Sequence, residues 1–138
     1  MTRPRIINIT HIASTPERVW AALTDPQITQ QYWFDTRIES DWKVGSKVIY
    51  RRDGEITDEN IVLRFEPFRV LSYTFHPVLN EAFRNEPASR VTFEITPRGN
   101  GVRLTTTHDE FQAGSGVYVA CSQGWPMILS NLKTLLES

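Results

Sequence analysis

The stretch Gly124-Trp-Pro-Met-Ile-Leu-Ser-Asn-Leu-Lys-Thr-Leu-Leu-Glu-Ser138 decides the fold. Trp125, Ile128, Leu129, Leu132, Leu135 and Leu136 recur at i, i+3, i+4, i+7, i+10 and i+11, while Ser130, Asn131, Lys133, Thr134 and Glu137 fall between them. That is the period of an amphipathic helix, whose apolar stripe must lie on something apolar. Just upstream, Gly114 and Gly116 release the chain into a helical stretch in which Val117, Ala120, Cys121, Trp125 and Leu129 are spaced for one buried face. Pro126 interrupts the pattern beside Gly124. It removes one backbone hydrogen bond and crowds the preceding turn, which predicts either a kink at Gly124 to Pro126 or a second helix starting on Pro126.

Working outward, nearly everything before this helix reads as short strands. Arg5 to Ile12 is rich in β-branched residues, with Ile7, Ile9 and His11 on one side and Ile6, Asn8, Thr10 and Ile12 on the other. Thr15 and Pro16 carry helix-start chemistry, a capping hydroxyl followed by a residue with no N–H to leave unsatisfied, and predict a helix over Pro16 to Thr24. Asp25-Pro26 repeats the signal for a second short helix to Gln31, before the aromatic run Tyr32-Trp33-Phe34.

Thr36 to Ser40 is a weak strand and Val44-Gly45-Ser46 a turn. Lys47 to Arg52 alternates Val48, Tyr50 and Arg52 against Lys47, Ile49 and Arg51. Asp53-Gly54 then predicts a two-residue hairpin, because a type I′ turn needs positive φ at both positions. The return strand is expected at Asn60 to Phe65, followed by Arg69 to His76 with Leu71, Tyr73 and Phe75 inward. His76 to Ser89 is a long connection, either a mobile loop or a lid. Arg90 to Thr96 and Val102 to Glu110 form a last hairpin, with Val91, Phe93 and Ile95 in phase on one strand and Val102, Leu104, Thr106 and His108 on the other.

The 138 residues suit a single domain spanning residues 1 to 138, long enough to bury a real core. Fifteen Lys and Arg against sixteen Asp and Glu set up no field for nucleic acid, and Arg51-Arg52, Arg64 and Arg69 read as the solvated face of strands. One cysteine, Cys121, excludes an internal disulfide, and the histidines at 11, 76 and 108 lack metal-ligand spacing, so neither metal nor cofactor is expected. The opening Met1-Thr-Arg-Pro-Arg5 has no signal-peptide pattern and no apolar run is long enough for a membrane span, which together with the lone cysteine points to the cytoplasm.

The order strand, two small helices, six strands and long C-terminal helix resembles the helix-grip fold, an α+β arrangement in which a curved antiparallel sheet wraps one helix. Five blocks go further: Ser14 to Pro26, Trp42-Lys-Val-Gly-Ser46, Phe65 to Phe75, Gly101 to His108 and Ser122 to Glu137. Together they are similar to the SRPBCC superfamily, and within it to the branch of the Hsp90 ATPase activator C-terminal domain. Gly45-Ser46 stands where a glycine pair is often found and Gly101-Val102 where Gly-Thr is common, both matters of turn geometry. The resemblance implies a cavity between sheet and long helix that in many members holds an apolar or amphipathic small molecule.

Residues expected to converge there are Trp42, Tyr50, Tyr73, Phe75, Phe93, Thr106, His108, Trp125 and Leu129, mostly apolar with a few polar groups, as in small-molecule sites. The leading expectation is a non-catalytic binding domain for a small apolar ligand. An alternative is a cyclase- or hydrolase-like enzyme in which His108, helped by a water or Tyr73, moves the proton. A further alternative is a chaperone-activator-like interaction module, and a homodimer is a possible assembly. Cys121, on the buried helix face, is read as a small hydrophobe and not as a nucleophile.

Overall fold

The computed structural model describes residues 3–138; Met1 and Thr2, on which the signal-peptide reading partly rests, lie outside the described residues. Strand β1 (Ile6–Ile12) leads into helices α1 (Pro16–Thr24) and α2 (Pro26–Tyr32). Strands β2 (Arg37–Ser40), β3 (Lys47–Arg52), β4 (Glu55–Glu66) and β5 (Val70–Phe75) follow, then the single helical turn α3 (Glu81–Arg84), strands β6 (Ser89–Arg98) and β7 (Gly101–Asp109), and helix α4 (Gly116–Glu137). All strand pairings are antiparallel, in the order β1-β7-β6-β5-β4-β3-β2, and α4 lies in the concave face. This is the expected helix-grip architecture.

The predicted helix starts are formed by the predicted residues. Thr15 accepts a hydrogen bond from Arg18 N, and Asp25 both ends α1 and caps α2 by accepting from Gln27 N at 2.9 Å. Tyr32 holds the corner between them through its hydroxyl, which donates to Ala22 O. Gly101 opens β7 where a Cβ would stand 2.5 Å from Ile12 O, so the close approach of β1 and β7 requires glycine.

Strand β4 departs from expectation. It starts at Glu55, straight after a turn in which Asp53 and Gly54 both have positive φ, and not at Asn60. Its first half was hidden because Asp58 and Asn60, rather than apolar residues, occupy inward positions. Register irregularities beside Tyr50/Arg51 and between Val62 and Arg64 bend it so that one strand serves both ends of the curved sheet.

Helix α4 runs unbroken through Pro126, which excludes the alternative of two helices; Pro126 is exposed there. Val117, Trp125, Ile128, Leu129, Leu132 and Leu136 are buried, and all but Val117 join one core with a sheet face built by Tyr73, Val91, Phe93, Leu104 and their neighbours. At its C-terminal end Glu137 accepts from Ala13 N, and Lys133 donates to His11 O and pairs with Glu137. No described helix is long and apolar enough to cross a membrane.

Candidate functional site

Under the middle of α4 the interior is filled by aromatic rings. Trp33, supplied by the end of α2, lies edge-on to Trp125 at 5.3 Å, to Tyr50 at 5.5 Å and to Phe93 at 6.4 Å. The hydroxyls of Tyr50 and Tyr73 are 2.6 Å apart, and burial raises both phenols well above their ordinary pKa. Phe93, Thr106 and Leu129 are also buried. Trp42 stands at the far end, its indole donating to Thr24 O and its ring stacked on Phe65. Of the residues expected to line a cavity, Phe75 and Trp125 reach open space.

His108 corrects the acid–base expectation. Its imidazole is fully buried between Phe75 and Phe111, with ring centroids at 4.7 and 4.3 Å. Trp125 Nε1, which can only donate, lies 3.0 Å from Nδ1, so Nδ1 is the unprotonated nitrogen. The proton therefore sits on Nε2, which donates to Ser89 Oγ at 2.7 Å, and that hydroxyl in turn donates to Phe75 O. Burial drives the imidazole pKa down to about 3, against a small opposing pull from Asp109. Dry and engaged at both nitrogens, His108 fastens α4 to the sheet and has no open pocket to serve. Tyr73, spent on Tyr50, is equally unsuited to proton transfer.

The open space lies beside this core, toward the N-terminal half of α4. A pocket of about 340 Å³ is bounded by Val117, Ala120, Cys121, Gly124, Trp125 and Ile128 of α4, by Trp33 and Phe75, and by Pro77 and Phe83 of the connection after β5. Its polar edge is Arg52 and Asp58 of the β3–β4 hairpin. At Gly124 a Cβ would meet nothing within 4 Å, so the missing side chain adds room. The Cys121 thiol also faces this space; burial first, then the charges of Asp58 and Glu86, push its pKa up to about 12, which makes it an apolar wall and not a nucleophile.

Arg52 follows Val48 and Tyr50 on the same strand face and is exposed, in keeping with its reading as a solvated strand arginine, while it also borders the pocket. Arg51, Arg64 and Arg69 conform too, pairing with Glu39 and Glu66 at the surface. Asp58 sits opposite Tyr50 in the ladder and is 8% exposed. Thr57 Oγ1 donates to it at 2.7 Å. Burial lifts its pKa to about 6, partly offset by that hydrogen bond and by the charges of Arg52 and His76. It had no recognisable signal, since a polar run after Asp53-Gly54 reads as turn.

The connection from His76 to Ser89 is folded down over the pocket. Val78 N donates to Thr57 O, Pro77 pairs with Asp58, and His76 Nε2 meets Arg84 O at 2.9 Å. Asn80 caps α3, which places Phe83 against Gly116 at a distance that glycine allows. Glu86 then accepts from Gly116 N at 2.9 Å, from Val117 N and from Ser115 Oγ. A carboxylate at a helix N-terminus is favoured by the free N–H groups and the dipole, so Glu86 latches this cover to α4.

The fold and the pocket under its long helix define a helix-grip domain of the SRPBCC kind. More narrowly, the family model of Activator of Hsp90 ATPase homolog 1-like protein matches residues 13–137, and the chain belongs to that family. Among solved structures, protein MLL2253 from Mesorhizobium loti superposes with a TM-score of 0.81 at 28% identity, covering 96% of each chain. The HSP90 activator PFC0360w from Plasmodium falciparum gives 0.80 at 20% identity, covering 96% of this chain and 95% of the other. The Aha1 dimer from Colwellia psychrerythraea gives 0.79 at 21% identity, with 97% and 96% covered. No curated protein matches the sequence.

Proposed function

We propose that this chain is a non-catalytic binding domain for a small amphipathic molecule, held between α4, the β3–β4 hairpin and the cover that follows β5. The observation that carries the reading is the pocket of about 340 Å³, with apolar and aromatic walls and two charged groups on one edge. Sites for small organic molecules have this size and this division between apolar bulk and a few polar groups. The expected binding set shifts accordingly, keeping Phe75 and Trp125 and adding Arg52, Asp58 and Phe83. A reducing cytoplasm suits the single unpaired Cys121.

Native mass spectrometry against a panel of apolar and amphipathic compounds tests the reading, with Gly124→Leu as the blocked control. A Cβ there meets nothing within 4 Å on the wall of the pocket, and leucine is a better helix former than glycine, so the variant is expected to fold with its side chain in the opening. Retained compounds should be lost from the variant. No compound retained, or retention unchanged in the variant, overturns the reading.

Family membership favours a second reading, a chaperone-activator-like interaction module. Stimulation of an Hsp90 ATPase by the isolated chain would support it, and absence of both binding and stimulation would dismiss it. Self-association, for which the Colwellia dimer is the precedent, is read directly by sedimentation.

A further inference from the structure

The pocket's two charged groups narrow the class of molecule, provided that the pocket is occupied as proposed above. Arg52 is the one basic side chain on its wall, and among the described residues no carboxylate lies within 4.0 Å of it. Its guanidinium makes one hydrogen bond, to Thr36 Oγ1 at 3.1 Å. Its chain neighbour Arg51 is occupied by Glu39 at 2.7 Å on the other face of the strand. A guanidinium has five donors arranged for planar acids, and Arg52 is exposed, so most of its donors are held by solvent alone and are open to a ligand's acid.

Asp58 is unfilled in the complementary sense. Thr57 serves Oδ1, and no described group donates to Oδ2. Oδ2 is not enclosed by the protein, so at the pocket edge it is open to accept from a bound donor. The same pocket is lined by Trp33, Phe75, Phe83 and Trp125, whose rings offer flat apolar surfaces. An alkylammonium would suit the aromatic rings and Asp58 but would meet Arg52 in the same space. A wholly apolar molecule would desolvate both charges and satisfy neither.

We infer that the pocket takes an aromatic anion that also carries a hydrogen-bond donor: the acid pairs with Arg52, the rings lie among the four aromatic side chains, and a hydroxyl or amine donates to Asp58. Charge complementarity at a partly enclosed edge then selects among molecules that the apolar walls alone would accept equally.

Fluorescence titration with three probes tests this: 1-anilinonaphthalene-8-sulfonate, its uncharged relative N-phenyl-1-naphthylamine, and the cation thioflavin T. The sulfonate should bind about tenfold more tightly than the uncharged amine, the scale of one charge-assisted hydrogen bond. Arg52→Gln should erase that difference, weakening the sulfonate about tenfold and the amine less than about twofold, by the same reasoning. Asp58→Asn should weaken the uncharged amine by a smaller factor, because its N–H loses a charged acceptor, and weaken the sulfonate less still, because removing the Asp58 charge favours an anion. The sulfonate advantage should also shrink at high salt in the parent chain but not in Arg52→Gln. Binding abolished by Gly124→Leu but indifferent to Arg52→Gln, or thioflavin T binding tighter than the sulfonate, overturns the anion assignment and leaves the pocket standing. Binding untouched by Gly124→Leu, or no binding at all, overturns the pocket and the anion assignment with it.

Discussion

Replacing Asp58 by asparagine should stabilise the protein at neutral pH and do so less and less as the pH falls. The side chain is 8% exposed and its carboxyl has a folded pKa of about 6 against an ordinary 3.8. A group whose folded pKa is raised contributes stability that is fully present below the unfolded pKa and is lost as pH rises through the folded one. The window here is pH 3.8 to about 6. Once the pH is well above it, holding the ionised form in the fold costs roughly 3 kcal/mol, at about 1.36 kcal/mol per pKa unit. Asparagine keeps the shape and can still accept from Thr57, so most of that cost should be recovered: about 2–3 kcal/mol at pH 7.5 and under about 1 kcal/mol at pH 4. Urea denaturation of both proteins at pH 4, 5.5 and 7.5, followed by tryptophan fluorescence, measures the difference with His108 common to both. A stability difference that does not change with pH, or an asparagine variant weaker at pH 7.5, refutes the reasoning. A confirmed gain would mean that the fold carries Asp58 at its own expense, as binding groups often do.

His108 should stay neutral down to about pH 4, with Nε2 protonated; nitrogen NMR showing an Nδ1–H tautomer or titration near 6.5 would contradict the chain from Trp125 to Phe75. Because its folded pKa is depressed, its contribution is present above 6.5 and lost as pH falls toward about 3, so in the Asp58→Asn background stability should drop by about 2 kcal/mol between pH 7.5 and 5. Trp125→Ala should cost ~3–5 kcal/mol for a 2% exposed indole that also serves His108, and a loss below ~1 kcal/mol in thermal or urea unfolding would show that it does not anchor α4. Glu86→Ala should remove a cap worth ~0.5–2 kcal/mol and speed hydrogen exchange at the Gly116 and Val117 amides, whereas unchanged protection there would mean the cover is held by Phe83 alone.

Much of this molecule is written in local pattern. The two capped helices, the Asp53-Gly54 hairpin, the phases of β6 and β7 and the stripe of α4 each follow from periodicity or turn chemistry over a few residues. Local pattern failed where a residue's role depends on a partner distant in sequence. Asp58 and Asn60 point inward because Pro77 pairs with the first and His76 N donates to the second, neither of which a window around residue 60 contains. His108 looked like a base because its pKa lies near neutrality in the open chain. Its burial and its donor, Trp125, come from α4, assembled only when the helix docks.

The sequence by itself determined the grip: a curved antiparallel sheet, two corner helices and an amphipathic C-terminal helix, because period and capping are properties of the chain alone. The tertiary structure decided where space remains. Trp33, Tyr50, Tyr73, Phe93 and Trp125 are large enough to close the interior against one another, so the middle of the fold is full. The opening forms instead where Gly124 supplies no side chain, bordered by Phe83 of the latched cover and by Arg52 and Asp58 of the β3–β4 hairpin. Volume left over after packing is a sum over distant residues, and no single stretch of the chain records it.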